Sequence, residues 1–390
     1  MINFFPSKSS VTRMCCWIFA AVWFAGISFG GNVGQHTAFI KTDGSLWAMG
    51  RNNWGQLGFG DMTNRDLPVQ IVSSGVILVD TGSGHTVFVK NDGSLWAMGR
   101  NEYGQLGLGD TNNRLTPVQV ISSGVVSVSA GQSITAFIKS DGSLWVTGFN
   151  SNGELGLGDT TSRSTPVQVI PSGVVSVSAG THFTTFVKTD GSLWGMGDNQ
   201  YGQLGLGDTT DRNATVQLVS GEVTSVSAGR YHTRFLKTDG SLWGMGDNSF
   251  GELGLGDNVQ RNLPVQILSS GLGGVPVGYN FTVFIKNDGS LWSTGGNAEG
   301  GQLGLGDVLN RNSPEKVVST GVVSVSSGTY STKFLKSDGS LWAMGDNQYG
   351  QLGLNDAADR STPVQVLPPG SGVASLAGAL TPTFDFTNGL

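Results

Sequence analysis

An aspartate followed four residues later by an arginine occurs seven times in this chain, from Asp61/Arg65 to Asp356/Arg360. Asp159 and Arg163 are a representative pair. Such a pair could hold an anion through its guanidinium or a metal through its carboxylate. It could equally be a charge-assisted hydrogen-bond bracket that ties down a loop. Unvarying repetition favours the bracket, because a functional site with perturbed ionisation is normally a singular place. The neighbouring G-L-G-D string recurs every 49 residues for most of the chain. Calcium-binding glycine–aspartate repeats have a far shorter period, so calcium is not expected.

The other reactive residue types offer less. His36, His85 and His232 share one repeat position that other units fill with Ile134, Phe183, Phe281 and Ser331. Apolar substitutes there point to packing at the start of a strand. His182 is one residue out of register and falls in a loop. No serine–histidine–acid set, H-E-x-x-H, Walker loop or unpaired carboxylate couple stands out from the repeat. The glycine-rich stretches join strand to strand with no following helix, so they lack the mechanism of a dinucleotide fingerprint. No catalytic residue, metal site or cofactor is assigned.

Aromatic residues give the binding candidates. One position after each repeated tryptophan reads Trp54, Tyr103, Asn152, Tyr201, Phe250 and Tyr349, with Ala298-Glu299-Gly300 in the sixth unit. Nearby stand Arg51 and Arg100, then Phe149, Asp198, Asp247, Gly296 and Asp346. Trp54 and Tyr103 with Arg51 and Arg100 would form a basic–aromatic patch. Tyr201, Phe250 and Tyr349 with Asp198, Asp247 and Asp346 would form acidic–aromatic ones. Exposed rings with mixed charge suit recognition of a protein or a glycan. The competing reading is that the rings simply cover loops between repeats.

These residues are positioned by a phrase, Asp-Gly-Ser-Leu-Trp, whose tryptophan recurs at Trp47, Trp96, Trp145, Trp194, Trp243, Trp292 and Trp342. The first five intervals are 49 residues and the last is 50. A fixed period of this length marks a ring or solenoid of supersecondary units, so residues 31–379 read as one closed body rather than two or three domains. Within a unit, Val125–Ala130 alternates as strand A and Thr135–Lys139 reads as strand B. Asp141-Gly142 predicts a two-residue type I′ hairpin, and Ser143–Thr147 reads as strand C. A long glycine-rich link then leads to a short outer strand D at Pro166–Val169, where an edge tolerates proline. Four antiparallel strands per unit, seven times, predict an all-β, seven-bladed β-propeller. Trp145, Phe137 and Leu155 are expected to pack against the neighbouring blade. The first unit lacks an A strand of its own, and Gly372–Gly378 looks like a spare one. This C-terminal strand is expected to close the ring, with residues 380–390 as a tail.

The 390 residues carry 61 glycines and only 13% charged residues, which suits tight turns between short strands. A net charge of -6 leaves no basic footprint for nucleic acid. Residues 1–30 differ in kind: Lys8 and Arg13 precede an apolar run from Cys15 to Phe29. This reads as a secretory signal with cleavage expected between Gly26 and Asn32; an uncleaved anchor is the rival. Cys15 and Cys16 both lie inside the run, so a processed chain would have no disulfide or thiolate metal site. A secreted, periplasmic or surface location, no membrane association after processing and a monomer are expected.

The run W-x-x-G-x-N-x-x-G-[QE]-L-G-L-G-D, with P-V-Q-V, V-x-S-V-S-A-G, F-[IVL]-K and D-G-S-L-W, resembles the regulator of chromosome condensation repeat family across residues 31–379. The resemblance implies a seven-bladed propeller. It does not imply one function, since members range from a nucleotide-exchange factor for the GTPase Ran to ubiquitin-ligase modules and secreted bacterial proteins. In a four-stranded meander the A–B and C–D loops emerge on one face, and only there do the units diverge. The expectation is therefore a non-enzymatic scaffold that binds a protein or glycan through that face. Nucleotide exchange on a small GTPase is one alternative, weakened because the wedge-like insertion it implies is not seen. A lyase or hydrolase at the propeller mouth is another.

Overall fold

The computed structural model describes residues 34–274 and 278–378. The expected leader and the tail at 380–390 lie outside the described residues. Seven four-stranded antiparallel sheets follow one another as the blades of a β-propeller. In the third blade, strand A is Val125–Ala130, B is Ile134–Lys139, C is Leu144–Gly148 and D is Arg163–Ile170. The A strands of neighbouring blades pack side by side and the D strands lie outermost. Strand D is twice the expected length. It begins at the arginine, which pairs with the glycine ending strand C (Gly148 with Arg163) across a register irregularity.

The hairpin differs from expectation in its turn. Among the described residues only Glu222 and Asn355 are non-glycines with positive φ, so Asp141 does not adopt the geometry of a type I′ turn. Gly142 N–H donates to Lys139 C=O, Lys139 N–H donates to Ser143 C=O, and Gly142 alone is left-handed at φ +76°. This is a three-residue loop, a type I turn followed by a glycine bulge. The aspartate serves a different purpose. Its Oδ1 accepts both Ser143 N–H and Ser143 Oγ–H, and the Trp145 indole N–H donates to that Oγ. The Asp-Gly-Ser-Leu-Trp phrase is thus a relay that fixes the indole. Phe137 stacks on Trp145 at 6.3 Å, and Lys139 Nζ lies 4.4 Å from the Trp145 ring centre.

Core packing runs across blade boundaries. Ile134, Ile138, Leu144 and Leu155 of the third blade share one cluster with Phe186 and Met196 of the fourth, and Trp194 packs on its edge. Phe137 and Leu155 are fully buried. The tryptophans are only half-buried, because the lysine and the solvent cover their outer faces.

The glycine-rich links form the seams. Gly158 N–H donates to Asn213 C=O on strand D of the next blade, and equivalent bonds run Gly60–Leu115, Gly109–Ser164, Gly207–Asn262, Gly256–Asn312 and Gly306–Ser361. The seventh, Asn355 to Asp66, joins the last blade to the first. Contact here is close: a Cβ on Gly153 would stand 2.3 Å from the Asn213 Cα. The closing strand, Val373–Leu376, pairs antiparallel with His36–Lys41 and completes the first blade. Its Leu376 shares a core cluster with Phe39 of that blade and Leu335 and Leu341 of the last.

Truncation after Ser371 removes that strand, so a sharp fall in melting temperature is expected relative to the full chain. Equal values by differential scanning calorimetry would contradict closure. Phe186→Ala should cost about 3–5 kcal/mol as a core deletion, and half-buried Trp194→Ala about 2–3 kcal/mol. Urea unfolding checks the order; a larger loss at Trp194 would place the indole deeper than described.

Candidate functional site

The Asp–Arg pairs are seven salt bridges of 2.6–2.7 Å on the outer surface. Each belongs to a local network. Asp159 Oδ2 accepts Arg163 Nη2–H, while Asp159 Oδ1 accepts Thr161 N–H and Asn150 Nδ2–H. Asn150 Oδ1 in turn accepts Leu155 N–H. Bonding to the arginine and to the backbone holds the Asp159 carboxyl below its ordinary range. Three of the carboxylate's acceptor sites are taken up within the link, and the arrangement shapes the link.

The A–B tip and the start of the C–D link are bonded together on one face, as in Phe149 N–H to Ser133 C=O and Asp198 N–H to His182 C=O. The candidate aromatics stand on this face, each leaning over the next blade. The Arg100 guanidinium sits 4.9 Å from the Trp54 ring centre and 5.6 Å from Tyr103, and its Nη2 pairs with Glu102 at 2.5 Å. Arg51 stacks on Tyr349 of the last blade at 5.0 Å and donates to Gln35 Oε1. Tyr103 meets Phe149 edge-on at 4.7 Å, and Phe149 meets His182 at 5.8 Å. Arg51 and Arg100 therefore belong to two separate stacks rather than one patch.

The acidic half of the expectation fails. Asp198, Asp247 and Asp346 are nearly buried, at 1%, 6% and 6% exposure, and do not flank their aromatics on the surface. Each turns inward to cap its own link: Asp198 Oδ1 accepts Gln200 N–H, Asp247 Oδ1 accepts Ser249 N–H and Asp346 Oδ1 accepts Gln348 N–H. Their carboxylates satisfy backbone amides at the bend, which burial would otherwise leave unpaired.

Four residues outside the assigned set occupy the propeller mouth. The Arg230 guanidinium lies between Tyr231 at 4.6 Å and Tyr279 at 4.3 Å. Tyr201 stacks on Tyr231 at 4.4 Å, and Tyr330 meets Tyr279 edge-on at 5.6 Å. Arg230-Tyr231, Tyr279-Asn280 and Thr329-Tyr330 are visible in the sequence as divergent A–B tips; only the fold shows them converging. Of the 22 lysines and arginines, 14 are in repeat register and two lie in the first 30 residues. Of the six that remain, Arg51, Arg100, Arg230, Arg234 and Lys333 belong to this half of the ring.

Singular titratable groups also hide in the interior. Asp80 occupies a register that Ser129 and Ser178 fill in the next blades, and its Oδ2 accepts Ala130 N–H across the seam just as Ser129 Oγ accepts Ala179 N–H. Burial pushes Asp80 up to about 7. Lys333, whose equivalents include Ala38 and Ala136, is driven down to about 7 by burial and donates to Ser331 Oγ. Arg234 and Glu252 make a second buried group, Arg234 Nη2 donating to Glu252 C=O, with burial raising the Glu252 carboxyl to about 7. These residues were not singled out in the sequence, although Asp80, Arg234 and Lys333 break the pattern at small-residue positions. The three register histidines are fully packed. His85 Nε2 meets Thr135 Oγ at 3.0 Å, and burial lowers His85 to about 4 and His36 and His232 to about 3. Among the described residues no group of three or more histidines, cysteines, aspartates or glutamates could hold a metal.

Seven consecutive segments match the regulator of chromosome condensation (RCC1) repeat: residues 43–89, 92–138, 141–187, 190–236, 239–285, 288–335 and 338–378. The chain belongs to the RCC1 repeat family. Solved structures share its architecture. Human WBSCR16 superposes with a TM-score of 0.76 at 22% identity, covering 85% of this chain and 97% of that one. Prp20p from Saccharomyces cerevisiae, solved in a study of its binding to Gsp1p and histones, gives 0.72 at 18% identity, covering 87% of each chain. Yeast RCC1 (Prp20) bound to Kap60 gives 0.75 at 17% identity, covering 99% and 97%. At these identities the likeness is one of fold. No curated protein sequence matches this RCC1-repeat chain.

Each buried histidine makes stability fall on acidification, whereas Asp80 and Glu252, whose carboxyls burial raises to about 7, act in the opposite sense. Unfolded His85 takes up a proton near 6.5 but the buried ring only near 4, so between those values the unfolded chain binds more protons and stability is lost as the pH is lowered. His85→Phe, using the residue that Phe183 and Phe281 supply elsewhere, should remove about 2 kcal/mol of the stability difference between pH 7.5 and pH 5. Denaturant midpoints at the two pH values check this; an unchanged pH slope would mean that His85 titrates normally.

Proposed function

We propose that this RCC1-repeat propeller is a non-enzymatic binding scaffold that takes a protein partner on its A–B/C–D face. The observation that carries this reading is the concentration of non-repeat arginines and aromatics there, while the opposite hairpins repeat Lys-x-Asp-Gly seven times. A symmetric ring can present an asymmetric surface only through such departures. Guanidinium groups held flat on aromatic rings are pre-ordered, so a partner's carboxylates meet them at little entropic cost. Arg230 with Tyr231 and Tyr279 forms one such anchor; Arg100, whose charge Glu102 already pairs, instead holds Trp54 and Tyr103 as a second, chiefly aromatic one. The buried Ser331–Lys333 and Arg234–Glu252 groups support the shape of this face and are not read as catalytic. A secreted or surface-exposed setting, inferred from the apolar run at 15–29, is part of the proposal and favours an extracellular protein.

Capture from the surrounding medium or host surface, followed by mass spectrometry, would supply the partner. Truncating Trp54 and Tyr103 together to alanine should then weaken binding by roughly 2 kcal/mol or more while the melting temperature holds. Charge reversal at Lys90 and Lys139, on the opposite hairpins, should leave binding intact. Loss of binding in the hairpin variants alone would place the interface on the other face. Stimulated nucleotide release from a small GTPase would replace the scaffold reading by exchange activity.

A further inference from the structure

Phe250 differs from the other collar aromatics. Trp54 and Tyr349 lie under guanidinium groups, Tyr103 meets Phe149 and Tyr201 stacks on Tyr231. Phe250 is 38% exposed and, among the described residues, has neither a ring nor a cation against it. It borders a notch of about 280 Å³ at the seam between the fifth and sixth blades, close to the lower size limit of small-molecule sites. The remaining wall carries Asn258, Asn310, Arg311, Asn312, Ser313 and Glu315.

The polar groups of this wall are held by the fold with one half left over. Asn258 Nδ2 donates to Ser249 C=O, leaving Oδ1 as an acceptor. Asn310 Oδ1 accepts Asn297 N–H, leaving its Nδ2 donors. Asn312 Nδ2 donates to Gly256 C=O, again leaving Oδ1. Glu315 Oε1 accepts Arg311 Nε–H, leaving Oε2. Three acceptors and one two-proton donor thus converge beside a free aromatic face. Arg311 is already paired with both Asp307 and Glu315, so the notch offers an anion no unpaired cation. The combination is local to this seam: Glu315 stands where six other blades have valine, and Asn258 stands where blades two to four have threonine.

We infer that this seam notch binds a neutral pyranose unit of a glycan. One C–H-bearing face of the sugar lies on Phe250, and vicinal hydroxyls bond to Asn258, Asn310, Asn312 and Glu315. Amides and carboxylates match hydroxyl groups because each hydroxyl both donates and accepts. The inference goes beyond the protein-binding anchors at Trp54 and Arg230, and shares no side chain with them.

The probes are neutral mono- and disaccharides of glucose, galactose, mannose and N-acetylglucosamine, with glucuronate as the charged control, measured by saturation-transfer NMR and calorimetry on the full chain. At least one should bind, with affinity reduced tenfold or more by Phe250→Ala and several-fold by Glu315→Val, which installs the residue of the other blades. Phe250→Tyr should retain binding, and the Trp54/Tyr103 double variant should leave it unchanged, which separates failure here from failure of the protein-binding reading. Absence of binding across the panel would overturn the inference. So would binding that survives both Phe250→Ala and Glu315→Val, or preference for glucuronate over glucose.

Discussion

One backbone contact governs the architecture: the amide near the end of each glycine-rich link donates to the outer strand of the following blade. A single such bond contributes about 1 kcal/mol, yet the set runs around the whole circle and includes the junction between last and first blades. It requires the link to lie flat on its neighbour, which is why a side chain at Gly153 or Gly251 would collide with the next strand. The Asn–Asp–Arg network exists to hold the link in that posture. Strand B threonines reinforce the seam from inside, as Thr135 Oγ–H does toward Gln105 C=O. Each blade's phenylalanine and tryptophan then have a fixed wall to pack against, and no blade is complete without the one before it.

The fold was largely legible because the period is long, unbroken and tied to strand-length alternation. Blade number, strand order and the origin of the closing strand all follow from counting. What the sequence hid was local. Asp-Gly suggested a two-residue turn, but Asp141 is needed to receive the serine of the tryptophan relay and so keeps ordinary backbone angles. Asp198, Asp247 and Asp346 looked like surface charge because they neighbour aromatics in the chain. Their side chains instead curl under the bend, a direction that depends on link curvature and not on residue type. The stack around Arg230 was equally illegible, since its tyrosines come from tips about 50 and 100 residues apart that meet only once the ring is closed.

Symmetry explains both the robustness of the scaffold and where it can be altered. The donors across the seams, six glycines and Asn355, and the strand B threonines vary little among the seven units, whereas the acceptor residues, Leu115, Ser164 and Asn213 among them, differ freely because only their carbonyl is used. Positions that only face solvent on the A–B/C–D side are free to differ, and nearly all unrepeated cations collect in that half. The interior exceptions are informative. Asp80 keeps the cross-seam hydrogen bond that serine makes elsewhere, so the substitution preserves geometry while placing an ionisable group near the axis. Lys333 and Arg234 insert long side chains where alanine or valine would suffice; the Ser331 hydroxyl of its own strand receives Lys333, and the Glu252 carbonyl of the link receives Arg234.

The closing strand has a consequence for biosynthesis. The first blade leaves the ribosome with three strands and an open edge at His36–Lys41, and its missing partner is encoded some 300 residues later. At typical elongation rates that interval lasts roughly 15–60 seconds. Throughout it, a nascent chain exposes an unpaired edge and one bare blade flank, both invitations to wrong pairing with any of six near-identical siblings. Translation order therefore makes the earliest blade the last to mature, and a holding factor or delayed compaction would protect the chain during that window.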